Sequence, residues 1–274
     1  MSRYRFALRP RWILSHLFVL ALVAAMVTAG FWQISRLQDK RDRNDRVAAR
    51  TALAPVDVQG LAEPGSFDTV SDLEFRRITA TGRYLPDDEV LVRSRSLEGA
   101  PGSWVLTPLL LADGTAVVVN RGWISNPGEL HAVPEASAAP TGPVEVAGLV
   151  RLTETRGRFG PQDPAEGTLT DLARADVARL DQQVAQDLLP FFVQLLEQSP
   201  EIDLTRDPEP VPAPTLDEGP HLSYAVQWFI FTTVAVVGYP LILRRRAREL
   251  EVEGEPDREP DDDLANDPGE TVAS

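Results

Sequence analysis

The sequence predicts an α+β chain: two transmembrane helices flanking an extracytoplasmic antiparallel β-rich domain, a sheet or partial barrel, with one helix. Three observations carry this. An uncharged apolar run of about 20 residues lies near each end of the chain. Between them comes a series of short alternating segments separated by turn residues. One stretch with apolar residues three and four apart interrupts that series.

The first run, 12–32, is long enough to cross ~30 Å of hydrocarbon at ~1.5 Å per residue. Arg3, Arg5, Arg9 and Arg11 before it would also suit a signal peptide, but the apolar region of such peptides is only ~7–15 residues. Trp12 and Trp32 at its ends read as interface anchors, so the run is taken as an uncleaved span. After it Arg36, Lys40, Arg41, Arg43 and Arg46 interleave with Asp39, Asp42 and Asp45. Such spacing suits a solvated continuation of the helix, so 33–55 is read as helix extension and linker.

The second span is placed at 221–243, its apolar run starting near Tyr224. Arg244, Arg245, Arg246 and Arg248 follow at once, whereas 207–221 holds no Lys or Arg. Positive flanks stay in the cytoplasm, which puts the C-terminus (244–274) there and, with two spans, the N-terminus (1–11) as well. The domain, 56–220, then lies outside the cytoplasm. Pro240 predicts a kink in the second span, and Gly30 and Gly238 predict close packing surfaces.

The net charge of −14 is concentrated at the end of the chain: residues 251–274 hold ten acidic residues and Arg258, a net −9. With almost no large apolar residue, that tail is expected to be disordered. The acidic balance excludes nucleic acid as a partner. There is no cysteine, which excludes disulfides, thiolate metal sites and cysteine nucleophiles.

Within the domain, strands are predicted at 75–84, 89–94, 103–111, 115–120, 144–152 and 191–196. Leu85-Pro86-Asp87-Asp88 has turn chemistry, and Ala112-Asp113-Gly114 between two apolar runs predicts a hairpin. Val177, Leu180, Val184 and Leu188 predict a helix that Pro190 ends. Long loops are expected at 125–143, 157–168 and 199–220.

No P-loop, nucleophile elbow, HExxH or GxGxxG is present, and no catalytic set is found. The chain is not expected to be an enzyme. Asp87 and Asp88 fit solvated turn chemistry. His131 falls in a loop, His16 inside the first span and His221 at the outer edge of the second. Ionisable residues in spans are functional candidates, and imidazole is a usual axial ligand of haem iron. His16 lies about 24 Å from Trp32 along a helix, so His16 and His221 face opposite sides of the bilayer and cannot share one iron. Arg121-Gly122-Trp123 reads as structural: an internal ion pair, a bulge and a packed ring.

The sequence resembles the surfeit locus protein 1 family in a set of ordered segments. They are Gly30-Phe31-Trp32-Gln33 with Arg36; Phe75-Arg76 leading to Thr81-Gly82-Arg83-Tyr84; Arg93; Gly102 before Thr107-Pro108-Leu109; Val119-Asn120-Arg121-Gly122-Trp123; Gly148 with Arg151; and His221 through Phe229. The acidic tail and 157–220 depart from the pattern. The resemblance implies an assembly or maturation factor for haem-copper cytochrome c oxidase, assisting haem a insertion or stabilising the core subunit. The alternative is a permanent accessory subunit bound to the oxidase or its respiratory supercomplex, without cofactor handling.

The partners this implies are the oxidase core subunit, membrane lipid and other respiratory subunits, in the plasma membrane. Some family members are thought to bind haem, and His221 occupies the place of their candidate ligand for haem a. Trp32, Gln33, Tyr224, Gln227 and Trp228 become candidate partner-binding residues. Gly82, Gly102, Arg121, Gly122 and Trp123 are expected to be structural. An anchored enzyme and a two-span sensor are further classes, but no pocket cluster or signalling domain points to either.

Overall fold

The computed structural model describes residues 4–126, 128, 130–201 and 208–253. The expected acidic tail, from 254 onward, lies outside these residues. The chain forms two compact units: Arg41–Asp217, and the described parts of Met1–Lys40 with Glu218–Ser274.

Helix α1 runs from Pro10 to Thr51, with proline at its first position, where a missing N–H costs nothing. It carries both the uncharged run and the charged continuation, and stops before Pro55, whose ring disfavours helix in the preceding residue. The last helix, labelled α3 below, is His221–Glu253 and passes through Pro240 as one helix. Both helices are long and apolar enough to cross a membrane. In the unit that holds them, Gly30 packs under Phe229, whose Cζ would lie 2.9 Å from an added Cβ. Gly238, expected to pack likewise, has nothing within 4 Å.

The other unit is a β-domain. Its strands are β1 (Val56–Asp57), β2 (Arg77–Tyr84), β3 (Val90–Leu97), β4 (Ala100–Leu111), β5 (Ala116–Ser125), β6 (Pro143–Leu152), β7 (Asp171–Leu172) and β8 (Leu188–Ser199), with the short helix α2 (Val177–Asp181) between β7 and β8. The strand order is β1-β2-β6-β8-β5-β4-β3-β7, and β2 also pairs with β4. Strands β2, β6, β8, β5 and β4 therefore close into a five-stranded barrel.

An odd ring cannot alternate direction all the way round. One neighbouring pair must run parallel, and it is β5 with β8. The antiparallel expectation holds for the other four barrel pairs. The short edge strands β1 and β7 also pair in parallel, with β2 and β3.

Two glycines make closure possible. At Gly82, β2 passes from pairing with β6 to pairing with β4, and an added Cβ would strike the Leu110 carbonyl. Opposite the bulge in β8, an added Cβ on Gly148 would strike the Gln194 carbonyl. The β4–β5 hairpin turns through Gly114 (φ +89), with Asp113 Oδ1 accepting from Thr115 N at 3.0 Å. The hydrogen bonds from Thr115 hold the Asp113 carboxyl below its ordinary range.

Alternate residues fill the barrel, among them Ile78, Ala80, Val117, Val119, Phe191 and Val193. On the outer face Val118, Phe192, Leu106 and Val92 pack with Val177 and Leu180 of α2. β5 is thus buried on both faces, which is why it reads as a continuous apolar run.

The predicted helix from Val177 to Leu188 is only half formed. Val177, Leu180, Val184 and Leu188 are all buried in one cluster, but helix ends at Asp181. Asp181 Oδ1 accepts the Leu188 amide at 2.8 Å, and the chain then enters β8. Pro190 does not end a helix. It lies in β8 where the pairing with β5 is irregular, a position that tolerates a missing donor.

Candidate functional site

Within the helical unit, α3 opens on His221 just after a turn at Gly219 (φ +70) and Pro220. The Ser223 hydroxyl and the Tyr224 amide both donate to the Pro220 carbonyl. His221 Nδ1 lies 2.9 Å from Gln33 Oε1 on α1. An amide oxygen only accepts, so Nδ1 carries a proton, and in the neutral ring Nε2 is the nitrogen with the lone pair. Nε2 meets no hydrogen-bond partner among the described residues. An imidazole that donates through one nitrogen and is bare at the other is poised to ligate a metal or haem iron. No group of three or more His, Asp or Glu side chains among the described residues could hold a metal ion.

Other residues predicted near this end are distributed around it. The Arg36 guanidinium lies over the Trp32 ring, 5.7 Å from its centroid. Phe31 and Phe229 meet edge to face at 5.6 Å. Trp228 is half-buried against Phe231, while Tyr224 and Gln227 are exposed. Only Gln33 of the five candidate partner-binding residues hydrogen-bonds to His221.

The far end of the helix pair holds a second polar contact that the sequence did not announce. Tyr239 Oη lies 2.6 Å from His16 Nδ1 and 3.0 Å from Ser15 Oγ. His16 Nε2 lies 3.2 Å from the Ala7 carbonyl, so it is the protonated nitrogen and Nδ1 accepts from Tyr239. Eighteen residues of α3 separate His221 from Tyr239, about 27 Å of helix. The two histidines thus serve separate contacts.

In the β-domain, the motif residues gather at one end of the barrel. Arg121 points inward there, its side chain 1 % exposed, and donates through Nη1 to Glu89 Oε2 at 2.7 Å. Its Nη2 donates to the Ser137 carbonyl at 2.8 Å, and Thr107 donates to the same Glu89 oxygen. The guanidinium also lies over the Tyr84 ring, 5.6 Å from its centroid. Tyr84 donates to Gln198 at 2.8 Å, and burial pushes its pKa above the ordinary tyrosine value.

Beside this pair, Gly122 (φ +144) sits at the β4–β5 bulge, where an added Cβ would meet the Glu209 carbonyl. Trp123 bonds Glu209 both ways at 2.7 Å. Its indole N–H donates to the Arg95 carbonyl at 2.8 Å, and its ring lies on Gly102, which leaves no room for a Cβ. Gly82 lies at the β2 crossover, apart from this group.

A further feature was not read from the sequence. Phe75 (φ 65) lies between the guanidinium groups of Arg43 (5.4 Å) and Arg151 (5.1 Å). Burial, and then the charge of Arg43, lower the Arg151 pKa, against the opposing charges of Glu74 and Glu154. Arg151 donates to Gln194 Oε1 at 2.9 Å, and Gln194 in turn donates to the carbonyls of Val211 and Pro212. Asn44 donates to the Leu216 carbonyl at 2.8 Å. Together with the Glu209 bridge, these contacts pin segment 209–216 to the domain. A pocket of about 420 Å³ elsewhere is lined by Arg93, Arg95, Ser103 and His131. Its arginines are already paired, with Asp163, Asp171 and Glu154.

Comparison with known proteins places the chain in a family. The SURF1 family profile matches residues 20–233, which takes in most of α1, the whole barrel and the first part of α3. An uncharacterised SURF1-like protein of Mycobacterium bovis is 30 % identical over 261 residues, 93 % of each chain. A SURF1-like protein of Drosophila melanogaster is 28 % identical over 251 residues, 83 % of this chain and 77 % of that one. The cytochrome oxidase assembly protein SHY1 of Saccharomyces cerevisiae is 32 % identical over 114 residues, 39 % of this chain and 28 % of the yeast protein. With the profile match running from within α1, through every barrel strand, into α3, this membrane protein belongs to the SURF1 family.

Proposed function

We propose that this protein assists assembly of cytochrome c oxidase from the plasma membrane, and that His221 takes haem a on its way to the core subunit. Family membership and the name of the yeast relative support the oxidase role. The observation that carries the haem role is the His221–Gln33 pair. Gln33 holds the ring through Nδ1, which leaves Nε2 as the nitrogen that could ligate. His221 would hold the haem as a nitrogen ligand to its iron, through Nε2. Gln33 orients the ring and makes Nε2 more basic. No covalent chemistry is asked of the protein.

The termini lie in the cytoplasm and the β-domain outside it. The arginines that follow the second span support this orientation. His221 then sits at the outer face of the bilayer.

The test is a deletion strain complemented with wild type, His221→Ala or Gln33→Leu. Deletion lowers oxidase activity and haem a content while other membrane enzymes persist. Protein purified in mild detergent shows a haem spectrum, His221→Ala loses it, and Gln33→Leu retains it with about 10–100-fold weaker affinity. Normal oxidase in the deletion strain would sink the assembly role. Stoichiometric co-purification with finished oxidase and no haem would instead identify an accessory subunit.

A further inference from the structure

The ring of His221 has a neighbour on each of two edges. Gln33 Oε1 lies 2.9 Å from Nδ1 and holds that edge. The Cδ2–Nε2 edge, across the ring, faces the α-carbon of Gly219. A Cβ added to Gly219 would stand 3.5 Å from Cδ2 and 3.6 Å from Nε2.

The turn fixes that α-carbon against the ring. Gly219 has φ +70, a left-handed conformation that glycine adopts without strain. Pro220 follows with its own φ locked. Its carbonyl accepts from the Ser223 hydroxyl at 2.7 Å and the Tyr224 amide at 3.1 Å. The turn is thereby tied to the first turn of α3, which carries His221. Backbone conformation by itself would also accept asparagine, which visits positive φ. The short distance to Nε2 is a separate reason for glycine. A metal–imidazole bond is about 2 Å long. A porphyrin spreads on every side of its iron, and non-bonded carbons need ~3.5–4.0 Å between them. A side chain at 219 would stand beside Nε2, in the space such a ligand needs.

We propose that Gly219 is the access residue of this site: its bare α-carbon leaves Nε2 of His221 open to a ligand as broad as a haem. This rests on the haem role proposed above and adds a residue to it.

The test titrates haemin, iron protoporphyrin IX, into the full-length protein in mild detergent and follows its absorption band. Wild type is compared with Gly219→Ala, Gly219→Asn and, as a control at an exposed neighbour, Leu222→Ala. Alanine adds the Cβ and strains the turn. Asparagine adds a larger side chain but tolerates the same φ, so it keeps the turn if Gly219→Ala does not fold. Both Gly219 variants should bind haemin at least about tenfold more weakly, with asparagine no better than alanine. Leu222→Ala should bind as wild type does, and urea unfolding of the β-domain should be unchanged throughout. Affinity regained in Gly219→Asn would make the turn conformation the cause, and would overturn the proposal. So would wild-type affinity in Gly219→Ala. Either failure leaves the haem role standing as long as His221→Ala loses haemin. A wild type that takes up no haemin, or a His221→Ala variant that keeps it, removes the haem role and the access role together.

Discussion

Arg121 and Glu89 are a buried ion pair in which each partner's charge is compensated only by the other and by a few neutral groups. Such a pair contributes little net stability when intact, but breaking it strands a charge. Arg121→Leu should therefore destabilise the domain by about 3–5 kcal/mol, measured by tryptophan fluorescence in urea. Gly102 tests packing at the same end of the barrel. Gly102→Ala places a methyl inside the Trp123 ring and should cost about 1–3 kcal/mol by the same measurement. Tyr84 gives a pH prediction. Its pKa is raised in the folded protein, mainly by burial, so its contribution is intact below the unfolded value near 10. Above that pH the unfolded phenol ionises while the folded one stays neutral, and stability falls. Urea midpoints between about pH 9 and 11 should decline in the wild type, with a visibly shallower slope in Tyr84→Phe.

At the scale of elements, the barrel explains several sequence features together. Five strands force one parallel neighbour, so β8 must enter beside β5 in the same direction. The long connection that makes this possible runs through β7 and α2. That connection also covers the outer face of β5 and β8, so apolar residues there recur without the clean alternation of a one-sided strand. Segment 209–216 is the other element with a defined role. Gln194 holds it through two carbonyls while accepting from Arg151, so Gln194→Ala leaves three partly buried polar groups short of a partner. The variant should lose about 1–3 kcal/mol, and hydrogen exchange should rise at 209–216 before it rises in the barrel strands.

For the whole molecule, the testable property is topology. The chain has no cysteine, so single reporters can be introduced without background. Gln182→Cys, in the β-domain, should react with a membrane-impermeant maleimide in intact cells. Arg245→Cys, after the second span, should react only once the membrane is opened. The reverse pattern would overturn the proposed orientation and, with it, the placing of His221 at the outer face. The family assignment does not depend on that result.

Local chemistry made much of this legible in advance. Two uncharged runs of membrane length, the arginines behind the second and the Asp-Gly turn between β4 and β5 all act over a few residues, so the sequence by itself determined the spans and most strands. The helix expected from Val177 to Leu188 was misread because its apolar residues are buried in one cluster whether the backbone coils or extends. Only the bond from the Leu188 amide to Asp181 and the pairing with β5 decided where it stops. The same holds for the site. Arg121 and His221 stood out as residues, but their partners Glu89 and Gln33 lie 32 and 188 positions away. Hydrogen bonds and ion pairs of that separation depend on how strands close and helices pair, and no local pattern encodes them. Tertiary structure alone therefore decided that the barrel closes, that Arg121 meets Glu89, and that Gln33 holds His221 through Nδ1.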